Sequence, residues 1–115
     1  MAKDDYHVIV CKILSYLYKQ LKSSEKVDEN RISVDSPDYD ISLPYWEYIM
    51  RNLKEEGLVD GVYLLNAVGR DAPAVRIRNI EITPKGIEYL RDNSSMAKAR
   101  EYLKTIKDIA DIIFF

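Results

Sequence analysis

The stretch from Ser42 to Leu90 constrains this chain most, because its helix-stopping residues fall between apolar runs of two different periods. Ser42 carries the side chain of a helix N-cap, and Pro44 suits the first turn that follows. Trp46, Ile49, Met50 and Leu53 recur at i, i+3, i+4 and i+7, which makes one buried face of a helix. Gly57 stands where a left-handed residue closes that helix, and Leu58 is placed to meet Leu53 as in a Schellman motif. Tyr45, Tyr48, Arg51, Asn52 and Glu55 are left for the outer face.

Leu58 to Leu65 is a β-type run. Its Asp60-Gly61 has the composition of a tight hairpin turn, but only Leu58 and Val59 separate it from the end of the helix. Gly61 therefore reads as a bend or bulge within one strand. Asn66 to Ala74, with Gly69 and Pro73, is the connecting loop, and Val75 to Ile82 returns as the second strand. Val75 and Ile77 share one face while Ile80 and Ile82 have the other parity, and a bulge near Arg78-Asn79 repairs the mismatch. Thr83 and Pro84 then open a helix as N-cap and first residue, with Ile87 and Leu90 turned inward. This order predicts an α+β fold of the winged helix-turn-helix type. A recognition helix feeds a two- to three-stranded antiparallel wing, and a long C-terminal helix follows.

The flanks read less evenly. A first helix is expected from Asp4 to Leu21, with Val10, Ile13, Leu14, Leu17 and Leu21 on one face. Asp4 and Asp5 at its start and Lys19 and Lys22 at its end suit the helix dipole. His7 and Cys11 are one turn apart, but two ligands without a third do not hold a metal, and cysteine is commonly a small core residue. Between Ser23 and Ile41, Arg31 to Val34 alternates like a short strand, and Asp35 to Asp40 suits a single helical turn. The acidic residues there do not make a calcium loop, because Pro37 and Tyr39 occupy ligand positions. Asn93-Ser94-Ser95 interrupts the chain and caps a last helix over residues 94–115. Met96, Ala99, Leu103, Ile106, Ala110 and Ile113 repeat there at steps of three and four, a heptad seam of about two and a half repeats widened by Tyr102 and Ile109. Two destinations are open to that seam: the chain's own domain, or the same helix of a second copy in a homodimer. The apolar end, Ile112 to Phe115, favours burial in either.

Composition narrows the functional classes. The length of 115 residues fits one domain, and a domain of that size buries roughly two-thirds of its unfolded surface. With 47% apolar residues and nine tyrosines there is material for a packed core. A single cysteine, Cys11, allows no internal disulfide and suits a reducing, cytoplasmic setting. No apolar run approaches the ~20 residues that span a bilayer, and no secretory leader pattern is present. Net charge is −2, spread as six basic and eight acidic residues over 1–42, seven and eight over 43–92, and four and three over 93–115. No segment carries the positive excess that by itself marks phosphate-backbone binding. One histidine, one cysteine, no glycine-rich phosphate loop and no paired carboxylates argue for a non-catalytic protein without cofactor, metal or evident small-molecule substrate.

Leu53-Lys54-Glu55-Glu56-Gly57-Leu58-Val59-Asp60-Gly61-Val62 and Ile82-Thr83-Pro84-Lys85-Gly86-Ile87-Glu88-Tyr89-Leu90 add a family resemblance. With Met96-Ala97-Lys98-Ala99 and Thr105-Ile106-Lys107, they resemble the YjcQ-type family of small bacterial and phage-associated proteins. The resemblance covers roughly the last two-thirds of the chain. It implies a winged-helix fold and a phage or prophage context, and it carries over no catalytic residue. Two functional readings follow. In the first, Tyr45, Tyr48, Arg51 and Asn52 read bases of duplex DNA while Arg70, Arg76 and Arg78 meet its phosphates. In the second, the tyrosine-rich helix face and the C-terminal seam make a protein-interaction or dimerisation module that binds no nucleic acid.

Overall fold

The computed structural model describes residues 2 and 5–106. Among them it is α+β: α1 (Tyr6–Ser23), α2 (Leu43–Glu55), strands β1 (Val59–Leu65) and β2 (Ala74–Ile82), α3 (Pro84–Asp92) and α4 (Ser94–Ile106). The strands form one two-stranded antiparallel sheet. Asp4, Ile109, Ala110 and Ile113, the apolar end Ile112 to Phe115, and the side chain of Ile106 lie outside the described residues.

α1 is the axis of the core. Every residue from Val8 to Leu17 is buried, so the helix is covered on all sides and not only on the single face that its strongest periodicity marks. It packs against α3, α4 and β2. Leu21, expected on the inner face, is instead 47% exposed, while Gln20 beside it is buried against residues 24–41. That turn closes on Ser24, which takes a left-handed φ of 56°. The Ser24 N–H donates to the Leu21 carbonyl and the Glu25 N–H to the Gln20 carbonyl, at 3.3 and 3.0 Å.

α2 follows its sequence pattern closely. The Ser42 hydroxyl accepts from the Tyr45 N–H at 3.3 Å, and Trp46, Ile49, Met50 and Leu53 are buried. At the other end Gly57 has φ of 72°, and the Leu58 N–H donates to the Leu53 carbonyl at 3.0 Å, the Schellman closure that the glycine anticipates. β1 begins two residues later. The bulge is also where the parity slip puts it. Asp60 pairs with Glu81 and Val62 with Ile77, so residues 78–80 face Gly61 alone. Asn79 there has φ of 50° and Gly61 φ of 97°. A Cβ on Gly61 would lie 2.6 Å from both the Arg78 carbonyl oxygen and the Ile80 Cα, so only glycine lets the bulge close. The bulge turns Val62, Ile80 and Ile82 into the core, while Val75 and Ile77 are half-buried.

The Thr83 hydroxyl accepts from the Gly86 N–H at 2.9 Å and donates to the Gly57 carbonyl at 2.6 Å, which ties the start of α3 to the corner between α2 and β1. Asn93 ends α3, and its side-chain oxygen accepts from the Ser95 and Met96 N–H groups at 2.9 and 3.2 Å to start α4. Met96, Ala99 and Leu103 are fully buried, in contact with α1 and α3. Of the two destinations open to the heptad seam, these three candidate dimer-interface residues take the internal one. They pack inward because α1 offers an apolar surface on its far side.

Residues 24–41 depart from expectation. Arg31 to Val34 forms no strand, and Asp35 to Asp40 forms turns instead of a helical turn. The regular element there is a 3₁₀ turn at Glu29–Arg31. The physical reason is that this segment's backbone is satisfied by side chains of the helices. Trp46 Nε1 donates to the Ile32 carbonyl at 2.9 Å, Gln20 Nε2 to the Lys26 carbonyl at 2.8 Å, and the Asp28 N–H donates to the Tyr16 hydroxyl at 2.8 Å. The buried Lys12 ammonium reaches the Asp38 carbonyl, whose side chain pairs with Arg31 at 3.0 Å. No strand partner is needed, and no helix precedes α2 where a helix-turn-helix would place one.

Tyr39 anchors the same segment and gives a pH prediction. It is 8% exposed and its hydroxyl donates to the Ser33 carbonyl at 2.9 Å. Burial pushes its phenol well above the ordinary value of 10.0, with the Asp38 charge adding to the rise. An unfolded tyrosine ionises near pH 10, so above that pH the folded chain holds a proton the unfolded chain has lost. Stability is therefore expected to be flat up to about pH 10 and to fall as pH rises further. In urea melts from pH 7 to pH 11, Tyr39→Phe is expected to lose about 1 kcal/mol at neutral pH and to show a shallower alkaline decline than wild type.

Candidate functional site: a hairpin face and a tyrosine-lined cleft

The position of the hairpin beside α2 is set by one carboxylate. Glu47 is 4% exposed on α2. Its two oxygens take the Arg70 guanidinium and, at 3.3 Å, the Val75 N–H. The loop end of the hairpin is thus tied to the helix by a residue that helical periodicity leaves unremarked. Arg51 adds a bond from Nη1 to the Pro73 carbonyl at 3.4 Å.

These contacts divide the sequence-predicted nucleic-acid residues into groups. Arg70 and Arg51 hold the loop against α2. Arg76 and Arg78 are exposed on the outer face of β2, and Arg76 is the cross-strand partner of Tyr63, itself 53% exposed. Tyr48 is 52% exposed on α2, and its carbonyl accepts from Asn52 Nδ2 at 2.8 Å. Tyr45, Tyr48 and Asn52 also line a cleft of about 430 Å³ that the sequence reading missed.

Tyr6 and His7 from the start of α1 and Tyr89 from α3 complete the aromatic walls of this cleft, with Glu56 on its border. The Tyr6 and Tyr48 rings meet edge-on, centroids 6.1 Å apart at 69°, and Tyr6 meets His7 at 5.3 Å and 88°. Burial, then the charge of Glu56 and the neighbouring phenols, pushes the Tyr6 hydroxyl up to about 12. Tyr89 is raised by the same two causes, burial first and Glu56 second. His7 Nδ1 is buried without a hydrogen-bond partner. The cleft is assembled from helices far apart in sequence, so no local motif announces it. Its sequence signal is that Tyr48 and Tyr89 sit off the apolar faces of their helices.

Cys11 belongs to the core. Its thiol lies 3.8 Å from the Ser15 hydroxyl, and burial pushes its ionisation up, which keeps it the unreactive thiol form. Among the described residues no three His, Cys, Asp or Glu side chains gather where a metal could be held. No helix among them is long and apolar enough to cross a membrane.

The fold and this surface define a small α+β domain whose exposed features are grouped on one helix, one hairpin and the cleft beside them. The chain belongs to the YjcQ protein family, whose pattern it matches over residues 11–109. It is 32% identical over 82 residues to the Bacillus subtilis (strain 168) protein described as "Uncharacterized protein YjcQ", covering 71% of this chain and 76% of that protein. No solved structure is a significant match.

Proposed function

We propose that this YjcQ-family chain is a non-catalytic, winged-helix DNA-binding protein, with α2 as the recognition helix and β1–β2 as the wing. The observation that carries the reading is the pair Arg76 and Arg78, exposed on one face of a hairpin whose pose against α2 is fixed by buried Glu47. In this geometry Tyr48 of α2 enters a major groove while the two arginines meet phosphates. The missing helix before α2 does not remove the reading, because residues 24–41 fill its place and pack on α1 and α2 through Tyr16, Gln20 and Trp46.

With Arg51 bonded to the Pro73 carbonyl and Arg70 paired with Glu47, the phosphate contacts of this reading number about two per copy. Counterion release then gives a shallow slope, log affinity against log salt of roughly −2. Duplex binding measured across a salt series is expected to show that slope, and Arg76→Glu/Arg78→Glu to weaken binding by about tenfold or more and flatten it. Equal binding by the double variant would remove the wing from the interface.

A second reading has its own observation. Tyr63, Leu65 and Val68 are 53%, 45% and 106% exposed along the hairpin and its loop, an apolar edge that suits a protein partner. If wild type shows no salt-dependent duplex binding, this docking role replaces the first.

A further inference from the structure

We propose that the tyrosine-lined cleft beside α2 binds an organic ammonium cation bearing methyl or alkyl groups on nitrogen. Four phenol rings from three helices, Tyr6, Tyr45, Tyr48 and Tyr89, line this open cleft. Ring faces carry partial negative charge and attract an alkylated ammonium, whose methyl groups also gain from leaving water. The Tyr6 and Tyr48 rings are inclined at 69° to each other, so the two do not share one plane. The Glu56 carboxylate borders the space, and no lysine or arginine is among its lining residues. The volume of about 430 Å³ falls within the span of small-molecule sites.

Other ligand classes fit this chemistry less well. An anion meets Glu56 without a compensating cation among the lining residues. A bare metal ion finds one carboxylate where it needs several hard ligands. A neutral apolar ligand makes no use of Glu56. Burial first and the Glu56 charge second keep the Tyr6 phenol protonated, and the Glu56 charge also draws in a positive one. His7 lines the cleft too, with its Nδ1 buried and without a hydrogen-bond partner. The proposal stands whether or not the chain binds DNA.

The test uses the full chain, titrated with choline and with tetramethylammonium, followed by calorimetry and by the ring-proton signals of the tyrosines. The control ligand is the neutral tert-butyl analogue of choline, in which carbon replaces the quaternary nitrogen and the shape is kept. Saturable binding of the cations, with the neutral analogue weaker by about tenfold, is the expected result. Glu56→Gln and Tyr48→Ala alter exposed side chains, and their melting curves verify the fold. Each is expected to weaken choline binding by about threefold to tenfold. Equal binding of the neutral analogue, indifference to Glu56→Gln, or no saturation by either cation would overturn the proposal.

Discussion

Replacing Gly86 with alanine is expected to unfold much of the protein, or to lower its melting temperature by more than about 10 °C. Gly86 lies in the first turn of α3, where helix propensity alone predicts that alanine stabilises by about 1 kcal/mol. Packing predicts the opposite sign. A Cβ there would sit 2.1 Å from the Leu58 carbonyl oxygen and 2.7 Å from Ile82 Cγ1. That carbonyl already accepts the Thr83 N–H at 3.1 Å, so it cannot swing away without breaking the corner that Thr83 ties together. Relief requires α3 to lift, which uncovers Leu90 and costs on the order of 3–5 kcal/mol in a domain whose whole stability is about 5–15 kcal/mol. Circular dichroism melts decide between the two signs. Gly69→Ala is the control: its site has φ of 82° but nothing within 4 Å, so only the local strain of roughly 1 kcal/mol applies.

The second large effect is at the other end of the chain. Leu103→Ala is expected to cost about 2–5 kcal/mol, and removal of residues 96–115 to abolish the cooperative transition altogether. Leu103, Met96 and Ala99 are all at 0% exposure, and Arg100 reaches back to the carbonyls of Leu90 and Arg91, closing the end of α3. An accessory arm would behave differently. Its removal would leave the melting curve in place and change only the sedimentation of the protein. Thermal melts of the truncated chain at two concentrations, with sedimentation velocity, separate these outcomes.

Legibility in the sequence tracks how local the determining physics is. α2, its glycine stop, the bulge opposite Gly61 and the Thr83 and Asn93 caps were readable because each rests on residues within a few positions of one another. The hairpin followed from two β-type runs joined by the loop with Gly69 and Pro73, and its bulge from parity. Residues 24–41 were not readable in this way, since their backbone partners, Tyr16, Gln20 and Trp46, belong to helices on either side and leave no periodic trace. The full burial of α1 was hidden for a related reason: Ser15 and Lys12 look polar in sequence, yet one is buried near Cys11 and the other extends its ammonium to the Asp38 carbonyl. The residues proposed for DNA contact were visible as types, but their division was not. Whether an arginine faces solvent or a buried glutamate depends on Glu47 meeting Arg70, 23 positions away. The cleft was the least visible feature, being a meeting of tyrosines from three helices.

The side-chain ties between the helices and residues 24–41 bear on the order of events during folding. That stretch is built of local turns and contacts such as Arg31 with Asp38 and Tyr39 with the Ser33 carbonyl, and Tyr16, Gln20 and Trp46 pin those turns to α1 and α2. Its docking therefore needs both helices in place, and loss of any one of those three side chains frees it from that helix.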